Sequence, residues 1–375
     1  MNFRKVIFWS HLVVGVSTGV VVFLLAVTGV LLTYEVQIER LAETRVEAAG
    51  PRLGASALAE AALLETDGQA RALVFENDDT APVAATFERG RKVLIDPYTG
   101  AALGNGRTNV SKAFGAITSL HRWLSLTGFS GKGKAVTGVA NLGFLLLALT
   151  GAYLWLPKLW KWTMFKVRMV FRRYPNTKAR DFHWHHIFAF WSLIPLLIII
   201  GTGVTMSYDR AQGLVMTLVG VGGEEGPSRP GGQGVGGAVD LASNGAGLDA
   251  VLAAARAHDP AWKRVVLNLP VAGAQSVTAV VDTGSGRRMT RQETLTIGLD
   301  EAQVTKVTGF ADLAKARRTF TFLRFAHTGE YYGVVGQTVA GLASLATAFM
   351  VYTGLALAWR RLIVPLLRRR RSGRA

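Results

Sequence analysis

The sequence of 375 residues contains no cysteine. Without thiols the chain cannot form disulfides, iron–sulfur clusters, thiolate metal sites or the covalent links of a c-type haem. No Gly-x-Gly-x-x-Gly motif follows a predicted strand in a βαβ setting, so the sequence predicts no nicotinamide or flavin site. Any redox cofactor must therefore be held without thiolates, and its electrons must come from an external donor or a membrane carrier.

Charged residues are missing from four long apolar runs. A helix needs ~20 apolar residues to cross a hydrocarbon layer of ~30 Å, and each run is long enough. The first run is too long for the apolar part of a signal peptide, and no small-residue cleavage site follows it. The sequence thus predicts an α-helical membrane protein with four transmembrane helices, at residues 8–34, 136–156, 187–207 and 334–359.

Acidic residues are almost absent from three further segments, 1–7, 157–186 and 360–375, where Asp181 stands alone among many lysines and arginines. These segments carry nearly all of the net charge of +17, whereas the two long segments between the runs are close to neutral. Basic residues concentrate on the cytoplasmic side of membrane proteins. Both termini are therefore predicted to be cytoplasmic, and the charge is attributed to topology and anionic lipid rather than to a nucleic-acid partner.

Each of the two long segments has an amphipathic helical stretch followed by short alternating strands, which predicts two small periplasmic α+β modules. The predicted strands are residues 70–76, 83–88 and 91–96 in the first module, and 264–269, 276–282, 293–300 and 303–308 in the second. A Gly-rich stretch, residues 220–247, is predicted to be a mobile loop. The predicted divisions are 1–34 (N-terminus and first span), 35–134 (first module), 135–157 (second span), 158–186 (basic cytoplasmic loop), 187–208 (third span), 209–332 (second module), 333–359 (fourth span) and 360–375 (basic cytoplasmic tail).

A Thr-Gly pair lies near the end of each apolar run, and a histidine precedes each pair at a matched distance. The histidine lies 17 residues before the threonine in runs one and three, and 29 and 26 residues before it in runs two and four. This order of helix, module and helix occurs twice, which predicts a tandem duplication. The sets are His11 with Thr28-Gly29, His121 with Thr150-Gly151, His185 with Thr202-Gly203, and His327 with Thr353-Gly354.

The positions of these histidines predict two sites at different depths. A separation of 17 residues spans ~26 Å of helix, so His11 and His185 belong near one membrane face and His121 and His327 near the other. Paired imidazoles in an apolar setting without carboxylates or thiolates suit an iron porphyrin with two axial histidines. Two b-type haems near opposite faces would carry electrons across the bilayer.

Other residues fit this interpretation. Arg122 and Arg324 on one side, and Lys178 and Arg180 on the other, are candidate partners of haem propionates. Glycines near the histidines leave room for a flat macrocycle to approach a helix. They are Gly15, Gly19, Gly128, Gly329 and Gly333.

Less specific interpretations stay open at this point. A histidine at the membrane interface can simply anchor a helix, as His183, His186 and the many tryptophans are expected to do. Zinc or copper competes with haem, although each face offers few further ligands. The Thr-Gly pairs are expected to serve helix packing, with each threonine hydroxyl bonded back to a carbonyl of its own helix.

These motifs together resemble those of the PepSY-associated transmembrane family, and the resemblance covers nearly the whole chain. The family usually has glycine four residues after the third-helix histidine, where this chain has Ala189, so His186 remains an alternative to His185. Trp191 and Pro195 match and favour His185. The resembling stretches are Phe-Trp-Ser-His at 8–11, Thr-Gly at 28–29, Leu-His-Arg-Trp-Leu at 120–124, Leu-Thr-Gly-Ala-Tyr-Leu-Trp-Leu-Pro at 149–157, Trp-His-His at 184–186, Gly-Thr-Gly at 201–203, Ala-His-Thr-Gly at 326–329 and the turn at 93–100.

Some members of this family are di-haem reductases of the bacterial inner membrane that act on ferric siderophores in the periplasm. The resemblance implies that His11, His185, His121 and His327 are the haem ligands, and that a cytoplasmic reductant or membrane quinol supplies the electrons. The alternative from another class is a membrane anchor without enzymatic activity, whose PepSY-like modules bind peptides or restrain a protease.

Overall fold

The computed structural model describes residues 2–87, 91–126, 131–221, 239–241 and 247–372. Gly128 and most of the predicted Gly-rich loop therefore lie outside the described residues. The helices are α1 (Phe3–Leu32), α2 (Glu35–Leu41), α3 (Ala55–Glu65), α4 (Asn109–Trp123), α5 (Lys132–Trp155), α6 (Trp162–Met169), α7 (Thr177–Ser207), α8 (Asp209–Leu218), α9 (Gly247–His258), α10 (Lys315–Thr328) and α11 (Gly333–Ser372). The strands are β1 (Ala72–Glu76), β2 (Val83–Phe87), β3 (Arg91–Ile95), β4 (Ala102–Gly104), β5 (Arg264–Asn268), β6 (Ser276–Asp282), β7 (Gln292–Gly298) and β8 (Val304–Thr308).

The chain divides into two compact units. Residues 1–36, 113–220 and 322–375 form the first, here called the bundle unit, as far as they are described. Residues 37–112 and 221–321 form the second, the sheet unit, with the same restriction.

Four helices of the bundle unit, α1, α5, α7 and α11, are long and apolar enough to cross a membrane. The four predicted spans are thereby confirmed in number and position, but three of the helices begin or end well outside them. The extensions are amphipathic or basic, which is why hydropathy alone misses them. α1 packs against α5 and α11, and α7 packs against the same two helices, so a four-helix bundle results.

The sheet unit contains one antiparallel sheet of eight strands in the order β4-β3-β2-β1-β5-β6-β7-β8. Alternate residues of its strands, such as Leu73, Leu267 and Ile297, are fully buried in a core that α3 and α9 complete. This burial pattern follows from strand geometry, in which successive side chains point to opposite faces. The predicted strands agree with the observed ones to within two residues, and only the short β4 was missed.

The two predicted α+β modules are joined through their first strands. β1 pairs with β5 along its whole length, with Val74 opposite Val266. Each module contributes one helix and a four-stranded meander, and an open edge of each meander would leave backbone groups unpaired. Their pairing gives one continuous sheet rather than two separate ones.

The two helices of the sheet unit are linked as well. Asp249, in the first turn of α9, accepts hydrogen bonds from the backbone N–H of Ala55 and from the Ser56 hydroxyl at 2.7 Å. It thereby caps the N-terminus of α3, where Gly54 has no side chain to do so. The two modules are thus joined through their helices as well as through their strands.

Candidate functional site

His11 and His185 face each other inside the bundle unit. His11 lies in the third turn of α1, and His185 lies in the third turn of α7. Their ring centroids are 6.5 Å apart and the ring planes are 84° to one another. The structure therefore brings together the two histidines that the sequence assigned to one site.

His121 and His327 form a second pair of the same size. Their ring centroids are 6.4 Å apart with an interplanar angle of 64°. Neither lies in a candidate membrane span. His121 is near the end of α4 and His327 is near the end of α10, two helices that the sequence analysis did not predict.

The two pairs lie at different levels of the bundle. Thr28 contacts His121, and it follows His11 by 17 residues in the same helix. At 1.5 Å per residue the two levels are ~26 Å apart along α1, which is close to the thickness of a hydrocarbon core.

The Thr-Gly pairs contact these histidines, which the sequence analysis did not foresee. The Nδ1 atom of each histidine lies within hydrogen-bonding distance of one threonine Oγ1. The first half of the chain contains α1, α4 and α5, and the second contains α7, α10 and α11. Within each half, the histidine that precedes one Thr-Gly pair contacts the threonine of the other pair. His11 contacts Thr150 at 2.9 Å, His121 contacts Thr28 at 2.8 Å, His185 contacts Thr353 at 3.1 Å and His327 contacts Thr202 at 3.1 Å.

The glycine of each pair lies against the same imidazole ring. A Cβ added to Gly151 would lie 3.2 Å from Cε1 of His11, and one added to Gly354 would lie 3.3 Å from Cε1 of His185. The corresponding distances are 3.7 Å from Gly29 to His121 and 3.4 Å from Gly203 to His327. The predicted back-bonding of the threonines is confirmed, but the pairs also line the histidine sites.

Close backbone contacts hold the helices that carry His121 and His327. A Cβ on Gly133, in the first turn of α5, would lie 2.1 Å from the carbonyl oxygen of Trp123. A Cβ on Gly336, in the first turn of α11, would lie 2.3 Å from the carbonyl oxygen of Gly329. Each carbonyl belongs to the residue two positions after the histidine, so both junctions have the same construction.

His186 and His183 have different surroundings. Nδ1 of His186 lies 2.8 Å from the carbonyl oxygen of Phe182, one turn earlier in α7. Nε2 of His183 accepts a hydrogen bond from the backbone N–H of Arg172 at 3.1 Å, so this buried side chain holds the segment before α7. Neither histidine has the threonine contact that His185 shares with the other three. The choice of His185 as a ligand stays a prediction that these contacts favour.

Arg122 and Arg324 lie near the His121–His327 pair in sequence, each within three residues of one histidine. Their guanidinium groups stack on Trp123 and Phe325, at 4.5 and 5.4 Å from the ring centroids. Partial burial, and then the charge of Arg324, lower the pKa of Arg122. Among the described residues neither arginine forms an ion pair with a carboxylate, so both charges are available to an anionic group.

Of the two propionate partners predicted for the other side, Lys178 is exposed, whereas Arg180 is engaged elsewhere. Its guanidinium contacts the buried carboxylate of Asp181 at 2.9 Å, and Arg360 of α11 contacts the same carboxylate at 2.6 Å. Gly15 and Gly19 likewise have protein neighbours, because they face the side chains of Leu147 and Leu355. Sequence position alone did not show these contacts.

Each histidine pair offers two nitrogen ligands and little else. Two metal–nitrogen bonds of about 2.0 Å bring two imidazole centroids roughly 6.3 Å apart, which matches the spacing of both pairs. Among the described residues no group of three or more His, Asp or Glu side chains is arranged to hold a metal ion. A bare zinc or copper ion would therefore lack further ligands, whereas a planar macrocycle that brings its own needs only the two axial nitrogens.

Residues 8–361 match the family described as PepSY-associated TM region. The chain belongs to this family. The match includes all four long apolar helices and all four paired histidines, so the resemblance seen in separate motifs is confirmed over nearly the whole sequence. Membership of the PepSY-associated TM family, together with the four helices, makes this a membrane protein. No curated protein matches the chain.

Proposed function

We propose that this PepSY-associated protein is a di-haem electron-transfer protein of the bacterial inner membrane that reduces ferric siderophores in the periplasm. The observation that carries the proposal is the pair of facing imidazoles at each of two levels, with centroids 6.5 and 6.4 Å apart. A b-type haem bound between two histidines supplies reversible one-electron chemistry. The overall reaction moves one electron from a cytoplasmic reductant or membrane quinol to Fe(III), and the Fe(II) product leaves its hard oxygen ligands more easily.

The residues of the chain hold and shield the proposed cofactors. His11 and His185 would ligate one haem, and His121 and His327 the other. The surrounding helices are apolar, which keeps water and its protons away from the sites. No side chain needs to act as an acid or base where Fe(III) is reduced, because that step transfers only an electron. With a quinol as donor, oxidation to the quinone would also release protons to the solvent.

Arg122 and Arg324 are proposed to bind propionate groups beside the His121–His327 pair. Their charges have no carboxylate partner among the described residues, and both residues are exposed, so an anionic group can reach them. An anionic group between them would form charge-assisted hydrogen bonds with both guanidinium groups.

We also propose that the chain arose by tandem duplication. Each half has a long helix, a helix with a four-stranded meander, a short helix that ends near a histidine, and a second long helix. Each half has two His–Thr contacts and one close glycine contact at its junction. Both sites then consist of equivalent residues from the two halves.

The proposed topology has both termini in the cytoplasm and the sheet unit in the periplasm. The absence of cysteine allows a direct test with single-cysteine variants. We expect Glu60→Cys, on the exposed face of α3, to react with a membrane-impermeant maleimide in intact spheroplasts. Thr177→Cys, at the start of α7, should react only after lysis. The opposite labelling pattern would reverse the topology.

The function itself is tested with the purified protein. We expect two low-spin haems per chain in the absorption spectra of the oxidised and dithionite-reduced protein, and oxidation of the reduced protein by added ferric siderophore. A chelator that absorbs light only when it binds Fe(II) would report the product. A colourless protein from haem-sufficient cells would instead support the peptide-binding or protease-regulating anchor.

A further inference from the structure

We infer that the four Thr-Gly pairs are positioning residues, which fix the tautomer and rotation of each histidine so that its Nε2 atom is free to bind metal. This inference rests on the proposed function and deepens it. It assigns Thr150, Thr28, Thr353 and Thr202 to His11, His121, His185 and His327, respectively.

The direction of each hydrogen bond follows from the threonine proton. Every one of these four hydroxyls lies close to the carbonyl oxygen four residues earlier in its own helix, at 2.6 to 2.8 Å. A hydroxyl has one proton to donate. Since a carbonyl oxygen can only accept, the threonine proton is used there, and Oγ1 must accept from the histidine. Each Nδ1 therefore carries the proton, and each Nε2 keeps its lone pair.

Backbone carbonyls support the same tautomer independently. Nδ1 of His185 lies 3.0 Å from the carbonyl oxygen of Met350, and Nδ1 of His327 lies 2.9 Å from that of Ile199. Each carbonyl belongs to the residue three positions before the contacted threonine. An unprotonated Nδ1 would face two oxygen atoms there without a proton between them, which is unfavourable.

The glycines restrict the rings from another side. All four lie against Cε1, the carbon between the two ring nitrogens, with virtual Cβ distances of 3.2 to 3.7 Å. A methyl group at Gly151 or Gly354 would press on the ring and rotate it. Threonine and glycine therefore act together, one on Nδ1 and the other on the adjacent carbon.

The exchange of contacts means that each half of the chain orients its own two histidines. α1 and α5 orient His11 and His121, while α7 and α11 orient His185 and His327. The metal sites form only when the halves meet, because each site takes one histidine from each half. Each half thus contains the threonine and glycine partners of its own two histidines.

A hydrogen bond to Nδ1–H also makes the imidazole a stronger donor to metal, and loss of such a partner typically costs 10–100-fold in metal affinity. The effect should differ between sites. Among the described residues Thr150 is the only acceptor for Nδ1 of His11, whereas His185 keeps the Met350 carbonyl if Thr353 is changed. Thr150→Val should therefore alter the His11–His185 site more than Thr353→Val does.

The experiment compares full-length Thr150→Val, Thr150→Ser, Thr353→Val and Thr347→Val by redox titration and by haem retention in detergent. Thr347 is a matched control, because it is buried in α11 and bonds back to Ala343 but contacts no described histidine. We expect Thr150→Val to raise the potential of one haem and weaken its retention about 10-fold or more. Thr150→Ser should restore both properties, and Thr347→Val should match the wild type.

The result separates this inference from the proposed function. A wild-type protein with two haems whose potentials and retention are the same in Thr150→Val overturns the inference and leaves the function standing. Equal effects of Thr150→Val and Thr347→Val also overturn it, because they indicate a packing role. A wild-type protein without haem overturns the proposed function itself.

Discussion

Replacement of His185 by alanine is expected to remove one of the two proposed haems, whereas replacement of its neighbour His186 should leave both in place. His185 faces His11 and has the threonine contact common to all four paired histidines. His186 bonds to a carbonyl of its own helix, and its ring lies against the Phe182 ring at an angle of 45°. Only the first change should remove a ligand of a proposed haem. The proposed reduction of ferric siderophores should then fall by more than about 100-fold, which exceeds the effect of losing a hydrogen-bond partner of a ligand.

The measurement is a haem count per chain together with the reduced-minus-oxidised spectrum of each variant. His327→Ala should give the same loss at the other site, which tests whether the two sites are independent. His183→Ala is a further control, because its imidazole bonds to the segment before α7 and to no described histidine of the two pairs. Loss of haem in His186→Ala with full retention in His185→Ala would reverse the assignment.

A methyl group at the junction of α10 and α11 is expected to disrupt the His121–His327 site. The Cβ of Gly336→Ala would lie 2.3 Å from the carbonyl oxygen of Gly329, far inside van der Waals contact. Gly329 has φ +76, a conformation that other residues rarely adopt, so the turn cannot readily move aside. We expect Gly336→Ala to lower the free energy of unfolding by about 3 kcal/mol. This value is at the upper end of the range for overpacking, because the contacted atom belongs to the backbone.

Thermal unfolding in detergent and the haem count would measure this effect. The matched control is Gly201→Ala in α7, where a Cβ would meet no atom within 4 Å. We expect the control to keep two haems and to unfold at the same temperature as the wild type. Gly336→Ala should unfold at a lower temperature and retain only the haem of the His11–His185 pair. Unchanged stability and two retained haems in Gly336→Ala would contradict this prediction, because they would show that the turn at Gly329 can widen to accept the methyl group.

The spacing of the histidines in the sequence predicted some features of their sites but not others. The 17-residue interval between His11 and Thr28 was enough to predict two levels, because the rise of a helix is fixed. It gave no information about which helix faces which, so the contact between Thr28 and His121 was missed. Apolar helices have no local signal for rotation about their own axes, and packing of the bundle decides it.

Polar partners show the same limit. Arg180 and Arg122 were both named from the sequence as candidate propionate partners, since each belongs to the membrane face predicted for one histidine pair. In the fold Arg180 contacts Asp181, which also binds Arg360 from the far end of the chain. Arg122 has Arg324 nearby and no described carboxylate. Arg180 and Asp181 are neighbours in sequence, but the Asp181–Arg360 contact joins residues 179 positions apart and depends on the arrangement of helices.

The sequence by itself determined that the chain has four spanning helices, which residues form the strands, and that histidines lie at two depths, since hydropathy, alternation and helical rise are local properties. Only the tertiary structure decided that β1 and β5 join two modules in one sheet, because every open strand edge presents the same backbone N–H and C=O groups. It also decided that His185 rather than His186 faces His11, and that Thr-Gly pairs contact the imidazoles of other helices. Such choices depend on atoms far apart in sequence, whose proximity arises only from packing.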